Sequence, residues 1–192
     1  EATQLQHLVT ELDILIRARY GLISVSTFEE TRFRRLMTAV AQLPRHQGKG
    51  LFLWSRVQGL RQIAGNQPLL TPRPLPDTDD PFAALDFIAQ ADSGLFVLAD
   101  YGPYLAPFGQ QEPQLVRRLR ELAWTIKTRP VTVLFVDPAF PELPALEKEV
   151  KRVDLPLPDE DEVQALLDLQ LERLADNPDV ALDLGVRAKE QL

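Results

Sequence analysis

The sequence has no cysteine, two histidines and one methionine among its 192 residues. Without thiols there is no disulfide, no thiolate nucleophile and no thiolate metal site. His7 lies on an amphipathic N-terminal stretch and His46 between Pro44 and Gly48, so a zinc site or a histidine-based triad has little support. No G-x-S-x-G occurs, and no G-x-x-x-x-G-K-[ST] that would wrap a phosphate in bare backbone amides. No apolar run approaches the roughly 20 residues of a membrane-spanning helix, and no signal-peptide pattern opens the chain. Positive charge is scarce as well. Lys and Arg number 21 against 28 Asp and Glu, a net charge of −7, which argues against a general nucleic-acid or anionic-membrane surface. A cytosolic globular protein is the class that remains.

What is present is ordinary globular material, 45% hydrophobic and 26% charged. It suffices for one α/β domain with a buried core and an appendage. The chain opens on Glu1 and ends within a helical pattern, which leads to the expectation of a segment of a longer protein.

Leu5, Leu8, Val9, Leu12, Leu15 and Ile16 recur at helical spacing and predict an amphipathic first helix over 3–19, closed by Gly21. LISVS (22–26) reads as a buried strand. Thr27-Phe-Glu-Glu30 then has the form of a capping box opening a helix to about Leu43. LFLWS (51–55) is a second strand. The stretch 61–80, with Gly65, Asn66 and four prolines, reads as an extended surface loop, and Asp80-Pro81 as the cap and first turn of the helix PFAALDFIAQ. LFVLAD (95–100) and VTVLFV (131–136) are the third and fourth strands, separated by a helix from Pro113 through Thr128. A short helix at 144–150 leads into a fifth extended piece, 152–157; Asp159 caps an acidic helix, and one more helix follows Asn177-Pro178. Continuous apolar strands alternating with helices predict a parallel sheet covered on both faces. The predicted organisation is a three-layer α/β domain over 1–158 with a helical, lid-like appendage over 159–192.

In this order particular stretches resemble a known family. LFVLAD ends a buried strand in Asp100, as a Walker B strand does, and VTVLFVDP sits one helix later, where AAA ATPases have their sensor-1 strand. PELPALEKEVKRVDLPLPDEDEVQALL resembles the AAA passage from strand to helical lid. LDILIRARYGLISVSTFEETRFRRLM, and FVLADYGPYL followed by VRRLRELAWTIK, resemble the N-terminal region of the AAA-type ATPases of cyanobacteria and algal plastids, a plastid reading-frame family. The resemblance implies a RecA-like five-stranded parallel sheet of order 5-1-4-3-2 and an active AAA module beyond the chain. It implies ATP and magnesium as cofactors of the parent protein but not of this segment, and a cyanobacterial cytosol or plastid stroma as its place. Its partners would be that AAA module and a protein client, with a homo-oligomer formed through the module; neither nucleic acid nor membrane is implied. The departures are specific: residues 22–35 supply neither the glycines nor the lysine of a P-loop, Asp100 is followed by Tyr101 where Walker B has glutamate, and the sensor-1 position is Asp137. The segment therefore resembles a degenerate, P-loop-less N-terminal domain.

A helix N-terminus attracts anions. At Thr27 the free amides meet a hydroxyl, with Glu29 and Glu30 supplying negative charge to the first turn. Ligands of open α/β sheets bind at the carboxyl ends of the strands, where Thr27, Asp100 and Asp137 are the candidate cofactor or magnesium contacts. Loop capping is the simpler reading of both aspartates, and no catalytic residue is assigned. Tyr101, Tyr104 and Phe108 lie among turn residues after the third strand and are candidate contact residues, or rings folded back onto the sheet. Arg117 and Arg118, with Arg120, form a basic cluster, as do Arg32, Arg34 and Arg35; each offers a partner contact or an ion pair within the chain. Two functions follow: a non-hydrolysing regulatory or protein-interaction module of an ATPase, or a nucleotide-binding sensor that keeps ATP/ADP affinity without hydrolysis.

Overall fold

Runs of four or more apolar residues bounded by turns make strands that are buried on both faces, and the core of this chain is built from them. A computed structural model describes residues 4–64, 73–160, 162–164, 167 and 168. Its elements are α1 (Gln4–Arg17), β1 (Leu22–Ser26), α2 (Glu30–Gln42), β2 (Leu51–Ser55), β3 (Gly59–Ala64), β4 (Arg73–Pro74), α3 (Pro81–Gln90), β5 (Gly94–Ala99), the one-turn α4 (Gly102–Leu105), α5 (Pro113–Ile126), β6 (Val131–Asp137) and β7 (Val150–Asp154). Short 3-10 turns lie at Pro44–His46, Pro107–Gly109 and Pro144–Leu146.

The strands form one mixed sheet in the order β4-β3-β2-β5-β6-β1-β7. The expected five parallel strands are present in the expected order 5-1-4-3-2, as β7-β1-β6-β5-β2, but the expectation that they make up the whole sheet, all parallel, is corrected: the sheet has seven strands and is mixed. The pairs from β2 through β5, β6 and β1 to β7 are parallel, and the sheet continues past β2 with β3 and β4, both antiparallel. The stretch taken as a loop from residue 61 is a strand as far as Ala64, and Arg73–Pro74 adds a further short strand. Gln58 N–H bonds Ser55 O at 3.2 Å and Gly59 follows at φ 63°, so the chain reverses in a tight hairpin closed by a left-handed residue. A Cβ on Gly59 would also lie 2.8 Å from Thr78 Oγ1. That hydroxyl accepts from Leu60 N–H and donates to Leu75 O, each at 2.8 Å. Gly59→Ala combines backbone strain with a clash and is expected to lower stability by about 1–3 kcal/mol. Urea unfolding of the variant measures it.

Side chains alternate across the sheet. Phe96 and Leu98 of β5, with Val133 and Phe135 of β6, join Leu85, Ile88, Leu119 and Leu122 of α3 and α5 in one cluster. Leu95, Val97, Leu134 and Val136 are buried on the opposite face, and Phe33, Leu36, Met37 and Val40 of α2 are buried outside that cluster. α3 starts as its sequence dictates: Asp80 Oδ1 accepts from Phe82 and Ala83 N–H with Pro81 at the first helical position.

The chain divides into two compact units, His7–Leu155, which holds the sheet, and Glu1–Gln6 with Pro156–Leu192. In the second, Asp159 Oδ1 accepts from Glu162 N–H at 2.8 Å, as expected of a cap, at the start of a helical stretch that includes Glu160 and 162–164. The helix expected after Asn177-Pro178 lies outside the described residues.

Candidate functional site

In a parallel sheet the strands deliver their ends to one edge. Here β1, β5 and β6 bring Thr27, Asp100 and Asp137 together. Ser26 pairs with Asp137 in the β1–β6 register, Thr27 N–H donates to Asp137 O at 3.1 Å, and Asp100 N–H donates to Val136 O at 3.1 Å. The three candidates thus share one edge, as their positions after apolar strands foretold.

The β1–α2 junction differs in detail from the capping box. Thr27 Oγ1 accepts from Glu29 N–H at 2.9 Å, and Glu29 is the N-cap residue, its own side chain making no cap bond. Because Thr27 is held in the sheet by Asp137, the helix starts three residues later, at Glu30. Glu29 turns instead to Arg32, with Oε2 accepting from the guanidinium at 3.0 Å. Phe28, between them, is almost fully exposed at 87%.

Asp137 is buried. Its Oδ1 accepts from Gly102 N–H at 2.9 Å while its Oδ2 has no hydrogen-bond partner among the described residues. Burial pushes this carboxyl up to about 6; the Gly102 N–H pulls the other way, and the charge of Asp100 adds to the rise. Asp100 is exposed and left-handed at φ 51°, the turn that lets the chain pass from β5 into α4. A Cβ at Gly102 would lie 2.9 Å from Pro141 Cδ and 3.1 Å from Asp137 Oδ1, so only glycine lets the backbone approach so closely. Chemically this is a carboxyl able to exchange a proton near neutral pH, beside a second, solvated carboxylate. Among the described residues, no group of three or more His, Cys, Asp or Glu gathers to hold a metal ion.

The aromatic candidates part company. Of the two readings open for Tyr101, contact residue or ring folded back onto the sheet, the structure shows the second, and the contact candidate is corrected to a core residue. It is fully buried, its hydroxyl donates to Pro81 O at 2.8 Å, and its ring stands edge-on to Trp54 at 5.0 Å and beside Phe135 at 5.5 Å. Tyr104 is half-buried against Trp54 and Tyr101. Phe108 is wholly exposed, in a left-handed conformation at φ 52°. Arg117 and Arg118 are ion-paired within the chain, to Glu121 and to Asp86 and Glu121 respectively. Val57, in the β2–β3 turn, is an exposed apolar residue of the same edge that sequence reasoning missed; the turn had been read without its second strand.

His46, expected in a loop, lies in the 3-10 turn Pro44–His46. It is buried, with Nε2 2.8 Å from Asp13 Oδ1 and Nδ1 3.0 Å from Lys49 Nζ. An ammonium can only donate, so Nδ1 accepts, Nε2 carries the proton and the ring is neutral. Burial, then the Lys49 charge, push its pKa down, consistent with that tautomer. The cluster ties α1 to the 3-10 turn before β2.

A doubly covered sheet with Asp100 and Asp137 at adjacent strand ends is the core of an AAA-type α/β domain. The model of the SpoVK-like AAA ATPase N-terminal domain matches residues 8–155, and the chain belongs to that family. It is 23% identical over 176 residues to the uncharacterized AAA domain-containing protein ycf46 of Trieres chinensis, covering 90% of this chain and 32% of that protein. To the ycf46 protein of Pyropia yezoensis it is 27% identical over 151 residues, covering 77% and 28%. The chain thus spans about a third of the length of these relatives. Among solved structures, a DNA polymerase III gamma subunit-related protein of Thermotoga maritima superposes with a TM-score of 0.48 at 13% identity, covering 88% of this chain and 51% of that one. Among the described residues no helix is long and apolar enough to cross a membrane.

Proposed function

We propose that this chain is a non-hydrolysing AAA-like N-terminal domain, a regulatory or protein-interaction module for an attached ATPase. The observation that carries the reading is the β1–α2 junction. Where a phosphate loop needs bare amides and a lysine, Thr27 binds the Glu29 amide, Glu29 holds Arg32, and Phe28 stands in solvent. The Glu29 and Glu30 carboxylates oppose a triphosphate in the field that would otherwise attract it. Tyr101, where the resemblance expects a glutamate, is committed to packing.

In this reading ATP and magnesium act in the parent protein's AAA module, which also forms the homo-oligomer, in a cyanobacterial cytosol or plastid stroma. This segment contacts that module or a client. Phe28, Val57 and Phe108 follow β1, β2 and β5 at one edge and are exposed, which supports protein contact rather than nucleotide enclosure.

Calorimetric titration with ATP and ADP, with and without magnesium, tests the proposal. No heat of binding is expected at millimolar nucleotide. Saturable micromolar binding would instead establish a nucleotide sensor, and Asp100 and Asp137 would then be the residues to replace.

A further inference from the structure

We infer that the amino-terminal edge of the sheet, opposite the edge described above, docks an acidic peptide segment in which carboxylates flank an apolar side chain. The inference rests on the interaction-module reading and names the chemistry of one partner. A cavity of about 260 Å³ opens there, lined among others by Arg19, Tyr20, Trp124, Lys127, Lys148 and Glu149. Arg19, Lys127 and Lys148 make no side-chain hydrogen bond or ion pair among the described residues. The one carboxylate of the lining, Glu149, opposes an anion but is outnumbered by three cations.

Several arginines elsewhere are paired within the chain. Arg32 meets Glu29, Arg56 meets Asp79 and Arg118 meets Asp86. Here three cations without a carboxylate partner among the described residues meet around exposed aromatic rings, and like charges held together disfavour the folded state unless a partner offsets them. The positive field extends beyond the cavity. Burial, and next the charge of Arg19, push the Lys49 ammonium down. The guanidinium groups of Arg117 and Arg120 lie 5.4 and 5.2 Å from the centre of the Trp124 ring. Trp124 and Tyr20 remain about half exposed, an apolar area of the kind that anchors binding partners.

The geometry selects carboxylates on a chain over a compact phosphate. The three cations come from separate places, the end of α1, the end of α5 and the turn before β7. Both helices present their carbonyl ends here, not the amides that make a phosphate cradle. Spaced side-chain cations around aromatic rings match spaced carboxylates around an apolar residue. A nucleic acid would have to overcome the net charge of −7 as well.

Arg19 makes the test sharp. It sits at φ 63°, where its amide bonds Ile16 O and the Tyr20 amide bonds Leu15 O, closing α1 in the conformation that glycine adopts without strain. Arg19→Gly therefore removes a cation without lowering the melting temperature.

The whole chain is titrated at low salt with an acetylated EEFEE peptide amide, following tryptophan fluorescence. Trp54 is buried, so Trp124 reports. A saturable change is expected, absent with a KKFKK peptide and weakened about tenfold both by Arg19→Gly and by Lys127→Glu with Lys148→Glu. No saturable change, a response untouched by these variants, or tighter binding of tripolyphosphate or a single-stranded RNA oligonucleotide overturns the proposal. If neither nucleotide nor peptide binds, this site is overturned and the interaction-module reading stands. If nucleotide binds and the Asp100 and Asp137 variants abolish that binding, the module reading falls and the peptide result is judged by itself.

Discussion

Tyr101→Ala is expected to lower the unfolding free energy by about 4 kcal/mol, within the range for deleting a fully buried ring. The ring packs against Trp54, Tyr104 and Phe135, and its hydroxyl donates to the Pro81 carbonyl at the first turn of α3. Removing it opens a cavity between β5, β6 and the helices and leaves a buried carbonyl without a donor. Tyr101→Phe separates the two effects, since it keeps the ring and loses only the hydrogen bond, at about 1–2 kcal/mol. Burial also pushes the phenol pKa well up, with Asp80 and Asp86 adding to the rise, so the hydroxyl stays protonated and donating. Urea unfolding followed by circular dichroism measures both variants. A loss below about 1 kcal/mol for the alanine variant would show that the region repacks and that Tyr101 does not anchor the turn. The expected large loss bears on function too: side-chain area that holds the fold is not free to recognise a partner, which leaves Phe108 as the exposed ring of that loop.

The strands were legible wherever the apolar run was continuous: β1, β2, β5 and β6 are buried along most or all of their length. The β3 strand was not, because GLRQIA has too little apolar content and leads into a proline-rich stretch. What makes it a strand is its pairing with β2 across the Gly59 hairpin. The capping box failed for a related reason. Thr27 and Glu30 have the right spacing, but the Asp137 carbonyl, 110 residues later in the chain, claims the Thr27 amide and moves the helix start. Pairs close in sequence, such as Arg117 with Glu121, can be read from spacing. Arg118 with Asp86 and His46 with Asp13 cannot, because the packing of helices decides them. The candidate edge was therefore legible in its location, through the strand ends, and illegible in which side chains face inward.

Asp137→Asn should change not only stability but its dependence on pH. In the folded chain burial raises the Asp137 carboxyl from 3.8 to about 6. A carboxyl raised on folding gives stability that is fully present below its unfolded pKa and lost as pH rises through the folded one. The wild type should thus lose stability between about pH 4 and pH 7 from this group, whereas the asparagine variant has nothing to ionise there. A shift of about two units corresponds to about 3 kcal/mol, so the variant should gain on the wild type by about 2–3 kcal/mol over that interval. The size of the offset at pH 4 is a separate matter, set by whether the new amide finds a partner where Oδ2 has none. Urea unfolding of both proteins at pH 4, 6 and 8 isolates the slope. A constant difference would mean that solvent reaches Oδ2 and the carboxyl ionises in its ordinary range. Repeating the series with magnesium distinguishes two uses of this edge. A cation held between Asp100 and Asp137 would favour the ionised form and remove the slope, whereas a carboxyl that only receives the Gly102 amide keeps it.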